Sequence, residues 1–465
     1  MNRYGRLAKN SGVFAIANLG SHLITFVLVR FYTELLTSEQ YGIVDFVVTT
    51  SSMLIPFLTL AITEAVLRFS IDQEEKPSIF TNGIFMATLG SVLFLIVGPV
   101  FFQGTSYEQY FIYLAILVFA SSINMIMAQF TRGIGKVTIF AVAGIIKTLT
   151  LVCGNLFFLL CLGWGIEGYL LSVILSEVAS AVYLSWGVKL YRYIHLKCQK
   201  RRLKEMLRYS IPLMPNSLSW WVMNAADKYV ILACLGTAAN GLYAVAHKIP
   251  TLINFCNNIF FQAWQLSAVQ EASSETKTEF YSQVFNVLSA MLCIVASLLI
   301  LLVNPITKIM VAASYGDVWK YTPFLIIAMV FSAFASFLGT NYVAMKETKG
   351  ALVTSFVGAI VNIALNLLLV GPYGINGTAI ATMVSFLVMW LLRAYDTRKF
   401  VSIKYAHWQL GSSIALLLLQ AVITIYDQTL WISFLCTVAM IAIHIKHLVQ
   451  IVQKVWQIVR KKVKR

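Results

Sequence analysis

The sequence predicts an all-α integral membrane protein of about 14 transmembrane helices, arranged as two six-helix lobes related by an internal repeat plus two C-terminal helices. Its composition, 59% hydrophobic and 12% charged residues with a mean hydropathy of +0.78, lies outside the range of soluble domains. Apolar runs of about 20–25 residues recur from end to end, the length a helix needs to cross a bilayer, whereas a barrel would show alternating segments of about ten. Loop charge is the third observation. Spans at about 11–33, 41–66, 80–102, 108–130, 138–163, 167–190, 210–234, 241–267, 281–303, 321–343, 351–371, 375–392, 408–426 and 430–450, with the N-terminus in the cytoplasm, put 29 of the 35 Lys and Arg on the inner side, counting Lys189 and Lys446 at span edges. Only Lys308 and Lys320 fall outside. This is the positive-inside pattern, and it predicts that both termini are cytoplasmic.

The net charge of +16 is therefore topological, and no nucleic-acid partner is expected. Membrane lipids are: the basic tail over 446–465 and the central basic segment suit anionic head groups. Seven cysteines, at 153, 161, 198, 234, 256, 293 and 436, show no CxxC spacing. They read as packing residues, with no disulfide framework and no metal site. The opening MNRYGRLAKNSGVF leads into an apolar run too long for a signal peptide and reads as the first spanning helix.

Along the chain, residues 1–190 form the N-lobe with helices one to six. The first span carries His22 and Arg30, the second Asp45 and Glu64. Ser38 and Glu39 mark the cap of the second helix, which Pro56 should kink. Spans three and four read as apolar scaffold without chemistry. Spans five and six place Lys147 and Glu177 near mid-depth of antiparallel helices, within about two turns of each other. A structural ion pair and a role in proton or substrate handling are both consistent with that placement. Residues 191–207 read as a basic cytoplasmic linker, 208–400 as the C-lobe with helices seven to twelve, and 401–465 as helices thirteen and fourteen with a basic tail.

The repeat is legible in the residues. With Gly42 aligned on Gly241, Asn18 falls within one residue of Asn216 and Arg30 within one residue of Lys228. With about ten more residues of offset, Lys136 meets Lys346, and GIEG at 165–168 meets GING at 374–377. An even helix number per lobe makes such repeats parallel, and substrate paths run between repeats in proteins of this kind.

Ionisable groups inside spans cost about 2.5–3.5 kcal/mol or more at the bilayer centre, so they point to function. Arg30, Lys228 and Lys248 fall in the outer halves of spans one, seven and eight. They would either snorkel to head groups or line a water-filled cavity. Cations around a cavity favour a polyanionic ligand such as phosphate. Asp45, Glu64, Asp227 and His247 would neutralise those cations or carry coupling ions. Membrane-interface belts account for most of the aromatics; stacking on sugar rings is the sharper alternative for Trp264.

The stretches RFYTELLTSEQYGIVDF with TEAVLRF, NAADKYVILACLGTAANGLYAVAHKIP, and NIALNLLLVGPYGINGTAIATMVSFL resemble the oligosaccharide flippases of bacterial polysaccharide and O-antigen synthesis, in the multidrug/oligosaccharidyl-lipid/polysaccharide exporter superfamily. The resemblance spans essentially the whole chain. It implies a transporter and not an enzyme: fourteen helices around a central cationic cavity lined by Arg30, Lys228 and Lys248. It further implies that undecaprenyl-pyrophosphate-linked oligosaccharide passes from the inner to the outer leaflet of the bacterial cell membrane by alternating access. No cofactor is expected beyond coupling to an H+ or Na+ gradient. Expected partners are the polyprenyl-pyrophosphate-linked glycan and proteins of polysaccharide assembly such as a polymerase. The rival readings are a cation-coupled multidrug antiporter and a lipid II flippase of the same superfamily. A membrane polysaccharide polymerase fits less well, because the longest loops are under about 20 residues.

Overall fold

The computed structural model describes residues 28–72, 75–194, 199–254, 276–345, 348–426 and 429–445, together with Asn257, Phe260, Phe261, Trp264 and Ala268. Every regular element among the described residues is helical. Nine of its helices are long and apolar enough to cross a membrane, and the shorter apolar helix Leu430–Ile445 follows them. Two compact units emerge: Met1–Trp221 with Leu235–Gly241 and Met310–Ser314, and Val222–Cys234 with Leu242–Ile309 and Tyr315–Arg465.

In the first unit, helix α1 covers 28–35, and the rest of the first expected span lies outside the described residues. Helix α2 (Ser38–Leu58) starts at Thr37, whose hydroxyl accepts from the Gln40 amide while the Gln40 side chain accepts from the Thr37 amide. This capping box satisfies two donors that a helix start leaves open. The second span was expected as one kinked helix over 41–66, and this is corrected. The helix stops after Pro56, Leu60 and Ala61 turn into left-handed conformation at φ 52° and 51°, and α3 (Ile62–Asp72) begins afresh. Two consecutive left-handed residues cannot be absorbed in a helix. Burial of Ala61 and Ile62 at 3% and 0% exposure holds them there.

Helices α4 (Lys76–Phe102), α5 (Phe111–Gly133), α6 (Val137–Asn155) and α7 (Gly165–Val188) complete the first unit's bundle. The basic segment read as a linker is helical from Lys200: α8 (Lys200–Ser210) turns Met206 into the core of Ile62, Val66, Phe80 and Phe130, with Leu203 and Leu207 alongside. Its Arg202 pairs with Glu75 at 2.9 Å and Glu205 at 2.7 Å, while Arg201 stays exposed. One apolar stripe and one charged face on the same helix produce this placement.

Helix α9 (Met214–Leu235) follows a short turn at Ile211–Leu213 set by Pro212. The eighth span, expected as one helix over 241–267 kinked at Pro250, is also corrected. Helix α10 (Thr237–Ala246) ends in a turn over 247–250, and helical backbone, α11, resumes at 251–254 and is described again at Asn257, Phe260, Phe261, Trp264 and Ala268. Pro250 lacks an amide hydrogen and disfavours helical backbone at the residue before it. His247 and Lys248 therefore sit in a turn.

The glycines aligned by the repeat meet in space. A Cβ on Gly42 would lie 2.0 Å from the Thr237 carbonyl oxygen, and one on Gly241 would lie 1.8 Å from that of Ser38. Each would also approach the other glycine's amide nitrogen at 3.1 Å. The Asn240 amide donates to the Gly42 carbonyl at 3.1 Å. The contact is reciprocal at the repeat offset, so the first turns of α2 and α10 pack backbone to backbone about a local two-fold.

In the second repeat match the likeness is one of local conformation. Gly165 and Gly374 both have φ +55°, and the glycine three residues on from each packs on the preceding helical segment, Gly168 against Phe158 and Gly377 against Leu369.

In the second unit, α12 (Lys277–Leu301), α13 (Val303–Met310, whose last residue belongs to the first unit), α14 (Val318–Ala344), α15 (Thr348–Asp396), α16 (His407–Tyr426) and α17 (Leu430–Ile445) follow in order. The long α15 is two helices joined at Pro372–Gly374, where Gly374 leaves helical geometry. Helix α14 is the core helix, with 89% of its apolar window buried. Trp264 is 3% exposed, stacks on Phe337 at 4.4 Å, and donates its indole N–H to Thr340 at 2.9 Å. The sugar-stacking reading of Trp264 is thereby replaced: the ring fills the core and its one polar atom is satisfied.

Candidate functional site

Arg30 lies on α1 with its side chain 44% exposed. Its guanidinium pairs with Glu34 at 2.5 Å and donates to the Val311 carbonyl at 2.7 Å. Thr33, one turn on, accepts from the Ala312 amide at 2.9 Å. Asp45 is half-buried on α2, and Glu64 is exposed in the first turn of α3. Lys228 on α9 and Lys248 in the turn after α10 are each half-buried. His247 sets its ring edge-on to Tyr243 at 5.6 Å.

Lys147 and Glu177 come together. The ammonium of Lys147 on α6 lies 2.6 Å from one carboxylate oxygen of Glu177 on α7, and the Asn124 amide on α5 donates to the other at 2.7 Å. The pair borders a cavity of about 470 Å³ among α2, α5, α6 and α7. The two partners are unequally exposed, 42% for Lys147 and 10% for Glu177, so removing one is not equivalent to removing the other. Lys147→Met strands a carboxylate away from water and should cost about 1–3 kcal/mol after discounting for the exposed lysine. Glu177→Gln keeps an acceptor for Asn124 and leaves an ammonium that can turn outward, and should cost under about 1 kcal/mol. Thermal unfolding in detergent checks the order; the reverse order would mean that Lys147 is the group held against its preference.

Asp227 is the second centre. It is fully buried on α9, and its carboxylate accepts from the Tyr243 hydroxyl, the Thr382 hydroxyl at 3.2 Å and the Lys228 amide at 3.1 Å. Behind it the chain of bonds continues: Asn362 donates to Thr382 at 3.4 Å, and Asn366 donates to Asn362 at 3.0 Å. All five side chains are at 0–1% exposure. Sequence reasoning named Asp227 and missed the others. The signal was present in VNIALN and TAIAT, where pairs of Asn and Thr four residues apart share one helix face inside apolar runs. It also missed Asn124 and Gln129 on the span read as plain scaffold, and Arg393, which is 2% exposed and bonded to Thr354, Ser355 and the Ala335 carbonyl.

A family described as polysaccharide biosynthesis protein matches residues 7–265, more than half of the chain. The chain belongs to that family. The matched stretch contains the nine candidate residues named from the sequence, Arg30, Asp45, Glu64, Lys147, Glu177, Asp227, Lys228, His247 and Lys248.

A probable low-salt glycan biosynthesis flippase, Agl15 of Haloferax volcanii, is 21% identical over 418 residues, covering 87% of this chain and 86% of its own. Among solved structures, the inward closed conformation of the lipid II flippase MurJ superposes with a TM-score of 0.72 at 14% identity, over 94% of this chain and 99% of that one. An inward-facing multidrug resistance MATE family transporter of the MOP superfamily gives 0.67 at 16% identity, over 83% and 98%. This family member is thus a multi-pass membrane protein with the all-α fold of MOP-superfamily transporters, and not an enzyme.

Proposed function

We propose that this family member flips a polyprenyl-pyrophosphate-linked oligosaccharide from the cytoplasmic to the outer leaflet of a bacterial cell membrane by alternating access. It does so for capsule, O-antigen or another surface polysaccharide. The observation that carries this reading is that the polysaccharide-biosynthesis match, over 7–265, is also the stretch that holds Arg30, Lys228 and Lys248. Basic side chains on membrane helices, as Arg30 and Lys228 are, or at a break between helical runs, as Lys248 is, favour an anionic ligand, and a pyrophosphate is one that guanidinium binds bidentately and ammonium binds as a point charge.

Asp227 is the carboxylate best placed to take up a coupling proton or sodium ion. It is buried, it gathers hydroxyl groups from α10 and α15, and a change of its charge would be felt along the whole bonded chain. Both termini face the cytoplasm in this reading, and a glycan polymerase acts on the delivered product.

Flipping of fluorescently labelled lipid-linked glycan in proteoliposomes tests the assignment. The combined Lys228→Ala and Lys248→Ala variant should lose at least tenfold in rate while keeping its wild-type thermal stability. A wild-type rate would remove these lysines from the path. The resemblance in fold to MurJ keeps lipid II as the second substrate reading. Growth of a strain depleted of its own lipid II flippase, restored by this chain, would favour it.

A further inference from the structure

We infer that the cavity among α2, α5, α6 and α7 is a subsite for the neutral, hydroxyl-bearing part of the transported molecule, a sugar ring next to the pyrophosphate. The inference rests on the glycan-flippase reading and adds to it a place for the glycan. The first support is charge. The ionisable groups on the cavity wall are Lys147 and Glu177, and they neutralise each other at 2.6 Å. A phosphate would meet a carboxylate already holding the ammonium of the described wall, and an organic cation would meet the reverse. Neither is favoured over water.

The second support is hydrogen bonding. Asn124, 6% exposed, spends its amide N–H on Glu177, and its carbonyl oxygen accepts no hydrogen bond among the described residues. The Gln129 side-chain oxygen is in the same condition. Both residues line the cavity. Ser51, Ser52, Ser121 and Ser180 also line the cavity, and hydroxyl and amide groups both donate to and accept from a ligand rich in O–H groups. The Asn124 and Gln129 oxygens are closed off from a water-sized probe and reach such a ligand by turning about their side-chain bonds. Phe140 lines the same wall. At about 470 Å³, the space falls within the range of small-ligand sites.

The structure also supplies a clean means of testing this. Gly144 lines the cavity, and a Cβ built on it meets no atom within 4 Å. Phenylalanine there fills the cavity from a helix position that does not need glycine. The full-length protein in lipid nanodiscs is titrated with undecaprenyl-pyrophosphoryl-N-acetylglucosamine and with undecaprenyl pyrophosphate, and binding is read by native mass spectrometry. Wild type should prefer the sugar-bearing lipid. Gly144→Phe should lose that preference, weakening binding of the sugar-bearing lipid at least tenfold and changing the bare lipid by less than twofold.

Gln129→Leu, which leaves the ion pair intact, should act in the same selective direction by several-fold. An unchanged preference in Gly144→Phe, or equal weakening of both lipids, overturns the inference. If wild type binds neither lipid, the flippase reading fails. The cavity is then judged on free methyl N-acetylglucosaminide by saturation-transfer NMR: a signal lost in Gly144→Phe supports the subsite, and no signal or an unchanged one ends it.

Discussion

Replacing Gly241 with leucine should be the most damaging single substitution in the first unit, and Gly42→Leu should match it. The Cβ alone would sit 1.8 Å from the Ser38 carbonyl oxygen in one case and 2.0 Å from that of Thr237 in the other. The obstructing atoms are backbone and cannot change rotamer, so the two helix starts must separate. Overpacking of side chains typically costs about 1–3 kcal/mol, and a backbone obstruction belongs at or above the upper end. Separation also breaks the Asn240 bond to the Gly42 carbonyl. Even Gly241→Ala should lower the melting temperature in detergent, read by fluorescence-detected size exclusion. Gly144→Ala, at a helix position with open space around it, should leave that temperature unchanged or raise it slightly, since alanine favours helix over glycine by about 1 kcal/mol. Equal behaviour of Gly241→Leu and Gly144→Ala would show that the reciprocal contact contributes nothing to stability.

Asp227→Leu should destabilise the second unit comparably and stop gradient-driven flipping. The substitution removes the buried acceptor that the Tyr243 and Thr382 hydroxyls share; Thr382 keeps the Thr378 carbonyl at 3.1 Å, and loss of the shared acceptor should cost about 1–3 kcal/mol. Asp227→Asn separates the two roles. It keeps an oxygen for one hydroxyl and should cost about 1 kcal/mol, yet it cannot bind and release a proton. Its flipping rate should fall at least tenfold under an imposed gradient and stay near wild type for passive equilibration. Wild-type gradient dependence in Asp227→Asn would assign the aspartate to structure alone.

How much of this was legible in advance differs by element. The long helices were, because an apolar run of about 20 residues has one use in a bilayer. The Lys147–Glu177 approach was also legible, because helical rise fixes depth to within a turn or two. The break at Leu60–Ala61 was not: Pro56 announces a disturbance, but whether a helix kinks or ends depends on what buries the residues after it. The same holds at Pro250, where the chain turns and takes Lys248 out of the helix in which its depth had been reckoned. Trp264 looked exposed to ligand because sequence does not tell one helix face from another, and packing put it against Phe337.

The sequence alone determined that this is a multi-pass membrane protein, since hydropathy is a property of the chain read in order. It also named the ionisable residues, because a charge within an apolar run stands out without coordinates. Only the tertiary structure decided which of these keep company. It bonded Asp227 to Tyr243 and Thr382, and it joined Glu177 to Asn124 beside a cavity. It also set Gly42 against Gly241 closely enough that no other residue fits. Hydrogen bonds and close approaches act over a few ångströms between residues as far as 281 positions apart, and only folding brings such residues within range.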